Sequence, residues 1–283
     1  QPTIKDLLLH TAGFSYNFLG DLVAEEYHNV GLFYSDQTTL EKEIEILSNL
    51  PLLYEPGTRW VYSVSVDILA RIIEVVEKTS LEFQLKKRIF EPLEMNNTGF
   101  SINLKDQKLM TSYHFNNISN DLVKPNVNSR YISNYGYPTK EKNYARGGIG
   151  LYSTANDYLK FAEMLQTGLS QKGEEIISIE ILKRATQNQI PNSFIPYEIK
   201  NFDIKDLDEN VFAPYGWGYG FRVYIQNSNL KNKGEFGWGG AASTYFLVDC
   251  KHQLSAVLMT QVFQGDPSLH KDFYKFIYSQ LQK

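Results

Sequence analysis

Two stretches of the chain hold groups with chemical potential at turns. Pro56-Gly57-Thr58-Arg59-Trp60-Val61-Tyr62-Ser63-Val64-Ser65 carries a tight turn into a tyrosine at the mouth of an apolar helix pattern. A phenol moves protons at neutral pH only with help. With an ordinary pKa of about 10, half-ionisation at pH 7 takes about 4 kcal/mol from the surroundings. Gly234-Glu235-Phe236-Gly237-Trp238-Gly239-Gly240-Ala241-Ala242-Ser243 reads as a strand whose glycines let another group approach its backbone. Taken singly, Tyr62 also fits a packing residue at a helix start, and the glycines fit a β-bulge.

Other chemistries find little support in the spacing. The five histidines (His10, His28, His114, His252, His270) are scattered, with no His-x-x-x-His pair and no cysteine cluster, so no metal site is read. P-loop, Gly-x-Gly-x-x-Gly and Gly-x-Ser-x-Gly motifs are absent from the sequence. Gly147-Gly148-Ile149-Gly150 lacks a preceding strand and is not read as a phosphate cradle. Cys250, the one cysteine, ends a predicted strand and reads as structural.

The 283 residues carry net charge −4, with 42% hydrophobic and 21% charged residues, enough apolar material for a buried core and too much for disorder. There is no basic block to suit a nucleic acid and no apolar run near the roughly 18 residues of a membrane span. Aromatics, at 14%, fit a tyrosine-rich core, with an aromatic-walled cleft as the alternative.

Capping and periodicity predict helices over 4–9, 39–49, 65–78, 81–90, 155–166 and 177–186. In the third, Ile68, Leu69, Ile72, Ile73, Val75 and Val76 predict one broad buried face. Residues 14–37 read as an aromatic and polar loop with weak helical stretches, and 101–145 and 187–214 as irregular loops. From Trp217 the period changes to two, predicting strands over 217–226, 234–249 and 254–262. A final helix from Pro267 presents Leu269, Phe273, Phe276, Ile277 and Leu281. The class is α+β in one domain over 1–283, with helices and loops over about 14–145 and the sheet and last helix over about 215–283.

In this order the phrases resemble the serine β-lactamase and penicillin-binding-protein-like superfamily, in its class C β-lactamase, D-aminopeptidase and esterase branch. They are Thr3–Gly13, Tyr54–Ser63, Ile89–Phe100, Gly147–Asp157, Trp217–Phe221 and the segment at Trp238-Gly239-Gly240. The resemblance implies a β-lactamase/transpeptidase-like fold and a serine that forms an acyl-enzyme with an ester or amide substrate. It implies no cofactor. It makes Tyr62 the relay phenol and the Ala241 N–H an oxyanion-hole donor, a kind of group worth roughly 3–4 kcal/mol in a well-studied hydrolase. Val64, Trp238, Gly239 and Gly240 fall at substrate-binding positions. Val64 stands where β-lactamases carry an asparagine, and Trp238 where they carry a lysine. Both departures point to an esterase- or peptidase-like enzyme more than to a β-lactamase.

The family's Ser-x-x-Lys motif belongs several dozen residues before Thr3 and does not occur there in this chain. Ser228–Lys231 and Ser268–Lys271 fit the pattern. With 20 serines and 21 lysines in 283 residues, about 1.5 matches arise by chance. The first lies in a predicted turn and the second follows the glycine strand, so neither is taken as the nucleophile. The start at Gln1-Pro2-Thr3, in mid-element, carries the expectation that sequence is missing upstream. Three consequences follow as expectations: an isolated chain without activity, about three strands, and an unprotected sheet edge that invites self-association. A five-stranded sheet made by this chain alone would count against the alignment. The competing expectation is a non-catalytic relative used for ligand binding or scaffolding.

Overall fold

The computed structural model describes residues 1–33, 38–116, 122–123, 145–194, 215–228, 231–263, 265 and 268–281. Helix α1 (Ile4–Leu8) starts at a reciprocal capping box. Asp6 N–H donates to Thr3 Oγ1 at 3.1 Å, and Thr3 N–H donates to Asp6 Oδ2 at 2.8 Å. Helix α2 (Leu22–Asn29) forms within 14–37, where a loop with weak helical stretches was expected. Asp21 Oδ1 caps it by accepting from Ala24 N–H at 2.8 Å, and Val23, Ala24 and Tyr27 bury one side. Helices α3 (Leu40–Ser48), α4 (Ser65–Glu77) and α5 (Leu81–Leu85) follow, the last running into a π-turn at Lys86–Phe90.

The buried face of α4 differs from the expected one. Ser65, Asp67 and Ala70 are buried, whereas Val75 and Val76 stand in solvent at 57% and 70% exposure. Ala70 packs with Leu40, Leu81, Phe100 and Ala145, so small and polar residues line the close contact while the β-branched pair falls outside it. The stretch expected as loop after residue 101 contains β1 (His114–Asn116) and β2 (Leu122–Val123), paired antiparallel. Most of what was read as loop over 124–144 and 195–214 lies outside the described residues. Helices α6 (Ala155–Thr167) and α7 (Ile179–Ala185) start at Thr154 and Ser178 side-chain caps.

The main sheet is antiparallel, in the order β3 (Tyr215–Trp217), β4 (Arg222–Tyr224), β5 (Phe236–Gly240), β6 (Thr244–Asp249) and β7 (Leu254–Leu258). This corrects the expected three strands to five. Two of the predicted runs contain turns: one around Gly220 at φ +88°, the other over Ala241–Ser243 with Ser243 at φ +57°. Strand β8 (Val262–Phe263) pairs parallel with β1. Helix α8 (Ser268–Gln280) closes the described chain.

Alternation along the strands builds two layers of core. Phe236, Phe246 and Val248 face α6 through Ala162, Met164 and Leu165. Leu247 and Ala256 face α8 through Tyr274. Helix α8 keeps part of the expected face, with Phe273 and Ile277 packed beside Tyr274, and departs from it at Phe276 and Leu281, which are exposed. His270 and Tyr274 are buried while Phe276 is 64% exposed, because the sheet surface it covers is lined by polar and aromatic groups. Among these, Tyr245 stacks on His270 at 4.2 Å, and the buried Lys231 ammonium lies over the Tyr274 ring.

Candidate active site

Tyr62 stands in the extended stretch that leads into α4, half-buried, with its ring centroid 5.1 Å from Tyr16 and 5.2 Å from Trp238. Trp238 comes from the middle of β5 and meets Trp217 edge to face at 4.7 Å. Burial raises the Tyr62 pKa above its ordinary value. A hydrogen bond from Trp238 opposes that rise, the Asp67 charge adds to it, and a hydrogen bond from Tyr16 opposes it. The net effect is a phenol that is neutral at neutral pH, with its ring against both neighbours. Tyr16 is pushed well above its ordinary value, first by burial and then by Tyr62 and Asp67, with Arg146 acting the other way.

Behind the two phenols lies a buried ion pair. Asp67, on the first turn of α4, is fully buried. Its Oδ1 accepts from Gly148 N–H at 3.2 Å and lies 3.4 Å from Arg146 Nε. The Arg146 guanidinium covers the Phe33 ring at 4.3 Å and donates to the Phe33 carbonyl at 3.3 Å. The glycine pair makes this approach possible. A Cβ on Gly147 would run into the Val66 carbonyl, and one on Gly148 would lie 2.7 Å from Tyr16 Oη and 3.0 Å from Asp67 Oδ2. The Gly148 amide is therefore committed to a protein carboxylate.

Trp238, Gly239 and Gly240 run along β5 into the turn that carries Ala241. The two glycines are required by the neighbouring strand: a Cβ on Gly239 would lie 2.8 Å from the Tyr245 ring, and one on Gly240 would collide with Thr244 Oγ1. The turn is pinned from behind. Ser243 N–H donates to Gly240 O at 3.0 Å, Val262 N–H donates to Ala242 O at 3.2 Å, and Thr260 Oγ1 donates to Ala242 O at 2.5 Å. Ala241 is exposed, and its own N–H makes no hydrogen bond to another described residue. Tyr62 and Trp238 are thus in contact, with Gly239, Gly240 and Ala241 continuing from Trp238. Val64 is 0% exposed and packs beneath the site, in the cluster that holds Tyr16, Tyr27 and Leu32 and against which Tyr62 also packs.

Sequence reasoning missed Tyr16, Asp67 and Arg146. Tyr16 sits in a stretch read as aromatic loop, where nothing sets it apart from Phe14 and Phe18. Asp67 left a usable signal, a carboxylate in the first turn of a helix rich in isoleucine and valine. Neither chance Ser-x-x-Lys string approaches the site. The Lys231 side chain is buried on the α8 side of the sheet, and Ser268 opens α8, on the face away from Trp238.

The profile of the Beta-lactamase family matches residues 1–276. Among curated relatives, Protein Rv1367c of Mycobacterium tuberculosis is 26% identical over 95% of this chain and 67% of its own length. Esterase EstB of Burkholderia gladioli is 22% identical over 91% of this chain and 64% of its own length. The chain thus spans about two thirds of the length of these relatives. A solved structure of EstCE1, a hydrolase with promiscuous acyltransferase activity, superposes with a TM-score of 0.77 over 98% of this chain and 72% of that one, at 22% identity. The five-strand count therefore comes from turns inside the predicted runs and not from a misread family. Its phrases in order, its helix–sheet–helix layering and the profile match agree: the chain belongs to the Beta-lactamase family.

Proposed function

We propose that this chain carries the proton-relay and oxyanion side of a serine acyl-transfer centre that acts on ester or amide bonds. In this reading a serine attacks the substrate carbonyl, Tyr62 takes part in passing its proton, and the Ala241 N–H holds the developing oxyanion. The acyl-enzyme then passes to water or to another acceptor. The observation that carries the reading is the contact of the Tyr62 ring with Trp238 at 5.2 Å, beside a strand that ends in a pinned turn whose Ala241 amide makes no hydrogen bond to another described residue.

The substrate reading follows from the walls. Trp238 supplies an apolar face where a cation would hold a β-lactam carboxylate, and Val64 offers no hydrogen bond where β-lactamases carry an asparagine. A neutral ester fits this site better than a β-lactam, and the likeness to esterase EstB supports that choice. The serine and lysine are absent from these 283 residues in the family's order, so the chain by itself is expected to be inert. The competing reading is a binding module that keeps the fold without turnover.

The test is ester and β-lactam hydrolysis, with p-nitrophenyl butyrate and nitrocefin. The 283-residue chain should turn over neither. The protein including its Ser-x-x-Lys segment should prefer the ester, and Tyr62→Phe should slow it about 10²–10⁴-fold. Turnover by the chain alone that is lost on Tyr62→Phe would overturn the expectation of inertness. No turnover in any form would favour the binding module.

A further inference from the structure

His10 follows α1 and is 1% exposed, with its backbone in the left-handed region at φ +54°. A non-glycine residue held there is strained unless its surroundings fix it. Its carbonyl accepts from Val61 N–H at 3.0 Å, and its ring Nδ1 accepts from Ser63 N–H at 3.2 Å. These two amides flank Tyr62 in the chain. The same carbonyl also accepts from Tyr54 Oη at 3.2 Å. The imidazole lies 4.9 Å from the Tyr62 ring and 5.3 Å from Trp217, and Ser63 Oγ continues the contact to Ser65 Oγ at 2.8 Å, at the start of α4.

We propose that His10 is a positioning residue for Tyr62, its carbonyl holding the Val61 amide and its neutral imidazole the Ser63 amide, so that together they set where the phenol meets Trp238. The proposal rests on the reading of Tyr62 as the relay phenol. Because Nδ1 accepts the Ser63 amide, the ring proton is assigned to Nε2. Protonation would turn Nδ1 into a donor that can reach Ser63 Oγ at 3.2 Å but can no longer accept from the Ser63 amide, and so would break the grip. Burial opposes this by lowering the His10 pKa to about 3, so the clamp holds across physiological pH. A histidine acting as general base needs the opposite, a ring that takes up a proton near neutrality and reaches solvent or substrate.

The experiment is nuclear magnetic resonance on the chain, with kinetics on the protein that turns over ester. Ring nitrogen-15 spectra of the parent should report His10 with the proton on Nε2, unchanged from pH 8 to pH 5. A ring protonated at Nδ1, or one titrating near 6.5, would overturn the proposal without need of any variant. In His10→Asn the amide oxygen stands close to the place of Nδ1 and can accept from Ser63. In His10→Leu nothing can. Nuclear Overhauser contacts between the Tyr62 ring and the Trp238 indole should survive in His10→Asn and disappear in His10→Leu. In the active protein His10→Leu should lose at least tenfold in kcat with KM changed less than twofold, and His10→Asn should recover most of it. Equal behaviour of the two variants, or Tyr62–Trp238 contacts intact in His10→Leu, would overturn the clamp. If instead Tyr62→Phe leaves turnover unchanged, the relay reading fails while the ring and contact results still stand or fall separately.

Discussion

Tyr62 lies against Trp238 and Tyr16, and among the described residues no lysine acts on it. Burial dominates, so its ionisation lies above the ordinary value. The hydrogen bond by which the Tyr16 hydroxyl opposes that rise can be removed with little change of shape, since phenylalanine keeps the ring stacked on Phe18 at 4.9 Å. Loss of one such bond is worth about 1 kcal/mol, so Tyr16→Phe should slow ester turnover about fivefold with little change in thermal stability. A loss of activity as large as that of Tyr62→Phe would instead make Tyr16 the relay. His10 makes a prediction of its own in acid. Its folded pKa of about 3 lies below the ordinary 6.5, so the unfolded chain binds the extra proton and stability falls as pH drops through that window. The slope from this one group approaches 1.4 kcal/mol per pH unit between about pH 6 and pH 3. Urea midpoints measured across that range should fall less steeply in His10→Asn than in the parent.

The element that organises the site is the start of α4, where the Tyr62 stretch, Asp67 and the Gly147-Gly148 segment meet. Gly147→Ala drives a methyl into the Val66 carbonyl and should cost about 1–3 kcal/mol, read as a fall in melting temperature. Gly148→Ala presses on Tyr16 Oη and Asp67 Oδ2, so it should lower activity as well as stability. A silent Gly147→Ala would mean that the segment does not pack on α4 as described. Much of this arrangement could be read in the sequence. The capping residues at Thr3, Thr39 and Thr154 announced their helices, and the ordered phrases fixed the family. What stayed hidden depends on contacts distant in sequence. Arg146 reaches Asp67 across 79 positions, as the two residue numbers give, and no local pattern marks that pairing. The turns inside the β-runs leave little trace because Gly218–Phe221 and Ala241–Ser243 interrupt alternation for only four and three residues. The α8 face is legible at Phe273 and Ile277 but not at His270 and Tyr274, which are buried against the sheet while Phe276 is exposed.

Across the whole molecule the sheet separates two environments, with the Tyr62–Trp238 cluster on the α6 side and the polar, aromatic packing of α8 on the other. On the α8 side Tyr278 donates to Asp249 Oδ2 at 3.0 Å, and His252 and Asn232 each lie 2.8 Å from the same oxygen. Burial alone would raise the Asp249 pKa, but the hydrogen bonds from His252, Asn232 and Tyr278 hold it below the ordinary value. Its contribution is therefore complete above about pH 4 and is lost as pH falls through the lowered folded value. Asp249→Asn should flatten that part of the acid limb of an unfolding profile. Strand β7 ends the sheet with no further strand beside it among the described residues. An open edge pairs readily, so sedimentation should detect concentration-dependent association of the isolated chain, and a monomer at every concentration would count against it. The central claim, that Tyr62 serves a serine lying outside these 283 residues, is tested most directly by labelling with a fluorophosphonate probe followed by peptide mapping. The account predicts no label on the isolated chain, one labelled serine in a Ser-x-x-Lys segment of the longer protein, and labelling slowed about 10²-fold or more in Tyr62→Phe. A label on any serine of this chain, or equal labelling rates in the parent and Tyr62→Phe, would contradict it.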